Sequence, residues 1–427
     1  MKILSLDFGT STLKAGFYFK NKIFFYTAEN YSYFDRPLLA IKRIIEKIKS
    51  EHKIKEIEVI VIDSIFPAYK FLDEYHHPFD KNFYWHNNNL GETISGILKS
   101  GFKIKHILSY KDYINFLLTS RISTDFVTYY NLEREPSLGE FIKEFKDILK
   151  PSEPISFLND NVKKYFGIKG KCVVLCGSID AFVAALGMGA VSIGEAGEIG
   201  GTTTCVFKIV EKNSSEIPYF LEGQSIKILP MSCGGITLNW LKDTFKLDEQ
   251  AIFEKIDKNQ KRDENLLFFP YLLGARSPLW LEEIKSVFYG ISLETDFSDL
   301  LKSVVEGVTF AIKQNIDILK VDNDWISISG QTALSNSWNQ LKSNIYNLSL
   351  RRVNYLQSSV TGNIFLGVKF LSNFNDCEFK KFAKGLIKIK AVFKPKKEKQ
   401  LFYEKKYNNF IDMQYRLYNL KDSRKSE

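Results

Sequence analysis

Apolar and polar positions alternate over "KILSLDFG", Lys2 to Gly9, which predicts a strand that ends in a turn at Gly9. "KAGFYFKNKIFFYTAE" continues as strand on either side of a polar Lys20-Asn21-Lys22 break, so two strands joined by a tight turn come next. The apolar spacing of "LLAIKRIIEKIKSEH" is helical, and "EIEVIVID" returns to a buried strand. The strand "KCVVLCG" then runs into the helix "IDAFVAALGMGAV". After it, "AGEIGGTTTCVFKIV" opens a second stretch with a Gly-Thr-Thr turn ahead of apolar residues. That is the plan of the N-terminus again, so the two halves read as built alike. The helix "DLLKSVVEGVTFAIKQNIDILK", the strand "WISISG", the helix "SNSWNQLKSNIYN" and a closing helical "KKYNNFIDMQYRLYNL" complete the chain. Alternating helix and strand predict an α/β sheet. At 427 residues the chain exceeds what one core organises, and two domains, 1–193 and 194–427, are expected.

Composition narrows the class. Apolar residues are 44% and charged residues 26%, values of a soluble globular protein, which excludes a disordered chain. The net charge of +9 comes from 59 basic and 50 acidic residues, but the lysines are scattered, with a run at "KPKKEK". A solvated basic surface is the reading, and no nucleic-acid partner is expected. Five cysteines without a C-x-x-C pair suit reduced thiols and argue against zinc. The chain meets an acid at Asp7 before any signal-peptide core forms, and no apolar run reaches about 18 residues. A cytoplasmic protein with no membrane partner is expected.

Three stretches carry chemistry. In "DFGTSTLKAG", Gly9 lets a backbone approach closely, Thr10 and Ser11 offer hydroxyls and amides, and Lys14 adds charge. Such a turn can wrap a phosphate while Asp7 holds a hydrated Mg²⁺, although plain hairpins share the pattern. "GGTTT", Gly200 to Thr204, could do the same from the second half. Asp180 stands at a strand-to-helix corner, where a carboxylate can serve as a general base or as a helix N-cap. His76 and His77 are adjacent in an extended segment and point to opposite sides, which argues against a shared metal.

These motifs, in this order, resemble the FGGY carbohydrate kinases, of the xylulokinase-like kind, within the sugar kinase, Hsp70 and actin superfamily. "SVFYGISLETDFSDLLKSVVEGV", with Glu306, resembles the family's C-terminal signature. "FFPYLLGARSPLW" resembles its P-Y-L-x-G-E-R-x-P element, and "ISISGQTALSNSWNQLKSNIYNLSL" its adenosine-binding segment. "LSYKDYINFLLTSRISTDF" and "VFKPKKEKQLFYEKKYNNF" are similar to its N-terminal structural stretch and its C-terminal helix. The resemblance implies a two-domain ribonuclease H-like architecture with ATP in the interdomain cleft. Residues 1–193 would bind the sugar and carry the first phosphate turn and the catalytic Asp, and 194–427 would bind the nucleotide. It further implies ATP and Mg²⁺ as cofactors, a small-molecule sugar or polyol as substrate, and room for a homodimer.

By the same resemblance Asp180 matches the catalytic base and Asp7 the residue near Mg²⁺. Gly9, Thr10, Ser11 and Lys14, with Gly201, Thr202 and Thr203, match the phosphate turns. Ser286, Gly330, Gln331, Thr332 and Ser335 fall on the ATP-binding segments. Substrate contacts are expected from His86, Asn87, Asn89 and Asp180 itself. Departures cluster on the sugar side, which is divergent and shortened. "WHNNN" stands where relatives carry W-x-D-x-R, and "DSIFPAY", Asp63 to Tyr69, replaces a Gly-Gln-Met-His type stretch. The expected function is therefore transfer of the ATP γ-phosphate to a sugar or polyol hydroxyl. The alternative is a catalytically degenerate nucleotide-binding regulatory protein of the same fold.

Overall fold

The computed structural model of the chain describes residues 1–9, 12–28, 36–84, 89–259, 261 and 263–420. They gather into two compact units. The first comprises Met1–Val191, Glu211–Ser225 and Gln357–Leu386; the second comprises Ser192–Val210, Ile226–Leu356 and the chain from Ile387 onward. The segments 211–225 and 357–386 thus belong with the first unit although they follow residue 193.

In the first unit β1 (Ile3–Phe8), β2 (Leu13–Phe19) and β3 (Lys22–Ala28) form an antiparallel meander. Lys20 and Asn21, with φ of 48° and 60°, make the two-residue turn that such a hairpin favours. Helix α1 (Pro37–His52) buries Ala40, Ile41, Ile44, Ile45 and Ile48, one stripe at helical spacing, against the core around Leu4, Leu6 and Ile60. β4 (Val59–Ser64) is buried throughout, as a strand covered on both faces must be, and runs parallel to β1. After α2 (Leu90–Lys99) and α3 (Tyr110–Thr119) come β5 (Pro154–Phe157), β6 (Val173–Leu175) and β7 (Ser178–Ile179). The sheet order is β5-β6-β4-β1-β2-β3, with β7 continuing beside β4. β7 leads directly into α4 (Asp180–Gly187).

The second unit repeats the plan. β8 (Ala196–Gly200) and β9 (Thr204–Glu211) form a hairpin and β10 (Gln224–Met231) follows. Helices α5 (Gly235–Phe245) and α6 (Phe297–Leu319) precede β11 (Trp325–Gly330), which runs parallel to β8 just as β4 does to β1. α7 (Asn336–Tyr346) and β12 (Ser349–Val353) come next. The chain then supplies α8 (Ser358–Ser372) and α9 (Asp376–Leu386) to the first unit, before β13 (Ile389–Phe393) and α10 (Lys397–Leu417) finish the second. Six strands of the second sheet run in the order β10-β9-β8-β11-β12-β13. Its core includes Phe268, Phe269, Ile312, Trp338 and Phe410. Among the described residues no helix is long and apolar enough to cross a membrane.

Candidate active site

Register sets the chemistry of the first unit. Asp7 on β1 lies opposite Asp63 on β4, Asp63 lies opposite Ser178 on β7, and Asp180 follows at the start of α4. Three carboxyls therefore collect at the C-terminal ends of parallel strands, the edge where α/β sheets bind ligands. Asp7 is 2% exposed and its Oδ2 accepts from Lys14 Nζ at 3.2 Å and from Ser359 Oγ at 2.6 Å. The Asp7 carboxylate, with Asp63 and Asp180 adding to it, holds Lys14 above its ordinary value, so the lysine stays charged. Asp63 is fully buried; its Oδ2 accepts from Asn363 Nδ2 at 2.6 Å. Burial, reinforced by the charges of Asp7 and Asp180, pushes the Asp63 carboxyl well above the usual range.

Asp180 is half-buried, and its Oδ1 accepts from the Ala181 amide at 2.7 Å. The N-cap position belongs to Ile179, which has no capping side chain, so Asp180 is the first helical residue and not the cap. A carboxylate in a first turn is also favoured by the helix dipole. Behind this corner lies a closed polar network. The Lys111 ammonium meets Asp112 directly and Asp125 Oδ2 at 3.3 Å, and it donates to Cys176 O at 3.2 Å. Asp125 Oδ1 accepts from Ser178 Oγ at 2.7 Å. The network therefore grips β7 two residues before Asp180.

α8 supplies Ser359 and Asn363 to the same group. It crosses α4 closely, since a Cβ at Gly187 would lie 1.8 Å from Ser358 O and one at Gly362 would lie 2.0 Å from Val183 O. Sequence reasoning missed both α8 residues, together with Asp63 and the Lys111 network. A carboxylate inside the apolar run "VIVIDS" was the available signal.

In the second unit the turn Gly201–Thr203 joins β8 to β9 and closes with a Gly201 N to Thr203 O bond of 2.9 Å. The start of α5 holds it: Gly235 N donates to Gly201 O at 3.1 Å and Ile236 N to Thr202 O at 2.7 Å. The Gly234-Gly235 pair thus makes a tight helix entry. Gly330 ends β11 with φ of 90°, and a Cβ there would lie 2.3 Å from Gly200 O, so only glycine fits. The 3₁₀ turn Gln331–Leu334 follows, with Gln331 exposed and Thr332 buried against Gly200. Gly201–Thr203 and Gly330–Thr332 are thereby brought together.

Other residues singled out by the sequence fall elsewhere or have structural duties. Ser335 caps α7, accepting from Trp338 N at 3.3 Å, and Asn89 caps α2, accepting from Glu92 N at 3.0 Å. Ser286 precedes Val287–Tyr289 in a separate two-stranded sheet, and its Oγ is buried with no hydrogen-bond partner among the described residues. Glu306 is buried on α6 and accepts from Lys406 Nζ of α10 at 2.7 Å. His76 stacks on His106 at 5.2 Å, while His77 sits 3.4 Å from Asp73. Thr10, Ser11, His86 and Asn87 lie outside the described residues, and Gly9 continues from β1.

Solved structures share the fold. A ligand-bound xylulose kinase from Lactobacillus acidophilus superposes with a TM-score of 0.83 at 19% identity, covering 97% of this chain and 98% of its own. A Plasmodium falciparum glycerol kinase with ADP gives 0.72 at 16% identity, covering 96% and 98%. The chain shares the fold of these kinase structures.

Residues 200–370 match the C-terminal domain of the FGGY family of carbohydrate kinases. A xylulose kinase of Staphylococcus epidermidis is 26% identical over 324 residues, 70% of this chain and 64% of that protein. A gluconokinase of Bacillus subtilis is 26% identical over 224 residues, 47% of this chain and 44% of that protein. The chain spans just under two thirds of the length of the curated relatives first matched.

Proposed function

We propose that the protein is an ATP-dependent phosphotransferase of carbohydrate metabolism that moves the γ-phosphate of ATP to a hydroxyl of a sugar or polyol. The observation that carries the reading is the register that sets Asp180 beside Asp7, Asp63 and Lys14 at one end of the first sheet. The first unit would bind the sugar and the second the nucleotide. Xylulose and gluconate kinases among the relatives put ketoses and sugar acids on the acceptor list.

Asp180 would accept the proton of the attacking hydroxyl as its oxygen bonds to the γ-phosphorus and the bond to the β–γ bridging oxygen breaks, releasing ADP. The Ala181 hydrogen bond to its Oδ1 helps to fix the group's orientation. Lys14 would offset phosphate charge, and the amides of Gly201–Thr203 would cradle the phosphates. The Gly330–Ser335 segment would receive the adenosine.

The oxygen donors near Asp7 are carboxylate and hydroxyl groups, of the kind a hard divalent cation takes, and they stand beside the Lys14 ammonium at 3.2 Å. Asp7 would hold magnesium through water, and the ion would neutralise phosphate charge. Among the described residues no group of three acidic, His or Cys side chains forms a metal cage.

Asp180→Asn tests the reading. Acceptor-dependent ADP release should fall about 10²- to 10⁴-fold, with ATP affinity and melting temperature held. A variant with full activity would exclude Asp180 as base. If the parent binds ATP tightly yet transfers to no acceptor, the silent nucleotide-binding reading gains.

A further inference from the structure

Beneath the second-unit turn lies a buried ion pair that the proposed chemistry does not use. Lys342 on α7 and Glu198 on β8 are each 1% exposed, and the ammonium meets Glu198 Oε1 directly. Tyr346 OH donates to Glu198 Oε2 at 3.0 Å, and Lys342 Nζ stands 4.5 Å over the Trp338 ring. Burial, then the Glu198 charge, pushes the Tyr346 phenol well above its ordinary value, so it remains a donor. The third contact of the ammonium is a donation to Thr332 Oγ1 at 3.3 Å.

Thr332 is a junction. Its hydroxyl covers Gly200, where a Cβ would lie 1.7 Å from Oγ1, and Gly200 immediately precedes the Gly201–Thr203 turn. It also sits in the 3₁₀ turn assigned to adenosine, and Gly200 pairs with Gly330 in the sheet. Lys342 therefore ties the strand that feeds the phosphate turn to the segment that receives the base. A buried ion pair is weak support for stability, because apolar residues of equal volume often serve as well; fixing registry is its better-attested use.

We propose that Lys342, held by Glu198, is a positioning residue that sets the spacing between the phosphate turn and the adenosine segment through Thr332. The proposal rests on the nucleotide-binding reading of these two segments. Lys342 itself touches no substrate; it acts by orienting the Thr332 side chain.

The test is a cycle of ATP dissociation constants, measured by calorimetry on the full chain, alongside the acceptor KM and the melting temperature. Thr332→Val removes the tether and leaves the ion pair. Glu198→Gln with Lys342→Met removes the tether's donor and leaves no unpaired charge. Each should weaken ATP by about 5- to 20-fold, the range of one lost positioning contact, with the acceptor KM within about twofold. Thr332→Ser should restore the parent value. The three changes combined should weaken ATP no more than either step alone, because they break one connection.

Multiplying effects would show that Thr332 contacts ATP independently and would overturn the proposal. An unchanged ATP constant in Thr332→Val would overturn it too, and decides the matter even if the paired variant fails to fold. A parent that binds no ATP would remove the nucleotide reading itself, a different result from a parent that binds with the variants unaffected.

Discussion

Replacing Gly362 by alanine would set a methyl group 2.0 Å from Val183 O and 2.8 Å from Val183 Cγ1. That is roughly 1.4 Å inside a normal C···O contact. The obstacle is the backbone of α4, which cannot rotate away as a side chain can, so α8 must back off. The same helix carries Ser359 and Asn363, whose bonds to Asp7 and Asp63 are each 2.6 Å. A displacement of about 1.4 Å along them would take both toward 4 Å, past hydrogen-bonding range. Overpacking costs about 1–3 kcal/mol, and each lost bond to a carboxyl about 1.5 kcal/mol or more. Gly362→Ala should therefore lose at least about 3 kcal/mol in urea unfolding, a large share of the stability of a typical domain. Acceptor-dependent turnover should fall as well, because Asp7 loses the hydroxyl that orients it. A variant within about 1 kcal/mol of the parent, with turnover intact, would refute the claim that α8 holds the carboxyls.

Asp376 on α9 accepts from Lys369 Nζ at 2.5 Å and from Glu222 N at 2.9 Å. Desolvation works to raise its value, but these donors outweigh it and hold the carboxyl below 3.8. A depressed acid stabilises above its unfolded value and loses that contribution as pH falls through the folded one. Asp376→Asn should thus cost about 0.5–1 kcal/mol at pH 7, a difference that shrinks as pH falls through and below the ordinary carboxylate range, by chemical unfolding at each pH; a constant difference would contradict it. Lys406→Met leaves buried Glu306 without its cation and should cost about 3–5 kcal/mol, most of it recovered in Glu306→Gln/Lys406→Met, by thermal unfolding. An unchanged melting temperature in the single variant would refute the pair's importance. Burial pushes Cys172 and Cys233 up to about 12, and Cys176 is raised as well, whereas Cys377 is exposed. At pH 8 a thiol at 12 is about one part in 10⁴ thiolate, so a disulfide reagent should react fast only with exposed Cys377 and half-buried Cys205, and the fast reaction should be lost in Cys205→Ser/Cys377→Ser. A fast phase that survives this change would contradict the burial.

The hairpins were readable because strand alternation stops at short polar breaks, at Lys20-Asn21 and at Gly201–Thr203. Asp180 was readable as a corner because an apolar strand gives way to small apolar residues at helical spacing. The role of Ser359 was not, since it meets a residue 352 positions away and sits in a helix of ordinary composition. Lys111 and Asp112 look like surface residues of an amphipathic helix until Asp125, from a later segment, closes on the ammonium. Glu198 and Lys342 illustrate the same limit, a carboxylate in a strand and a lysine in a helix whose burial depends on packing 144 residues apart. The returns of 211–225 and 357–386 to the first unit carry no compositional mark.

Acceptor-dependent phosphoryl transfer is the most direct measurement of the central claim. The full chain, given Mg-ATP and each of a panel of ketoses, aldoses, polyols and sugar acids, is assayed for ADP release and for a phosphorylated acceptor by mass spectrometry. The account predicts that at least one acceptor raises ADP release well above the rate with water alone and gains one phosphate, and that Asp180→Asn abolishes the gain. ATP binding without stimulation or a phosphorylated product from any acceptor would contradict it.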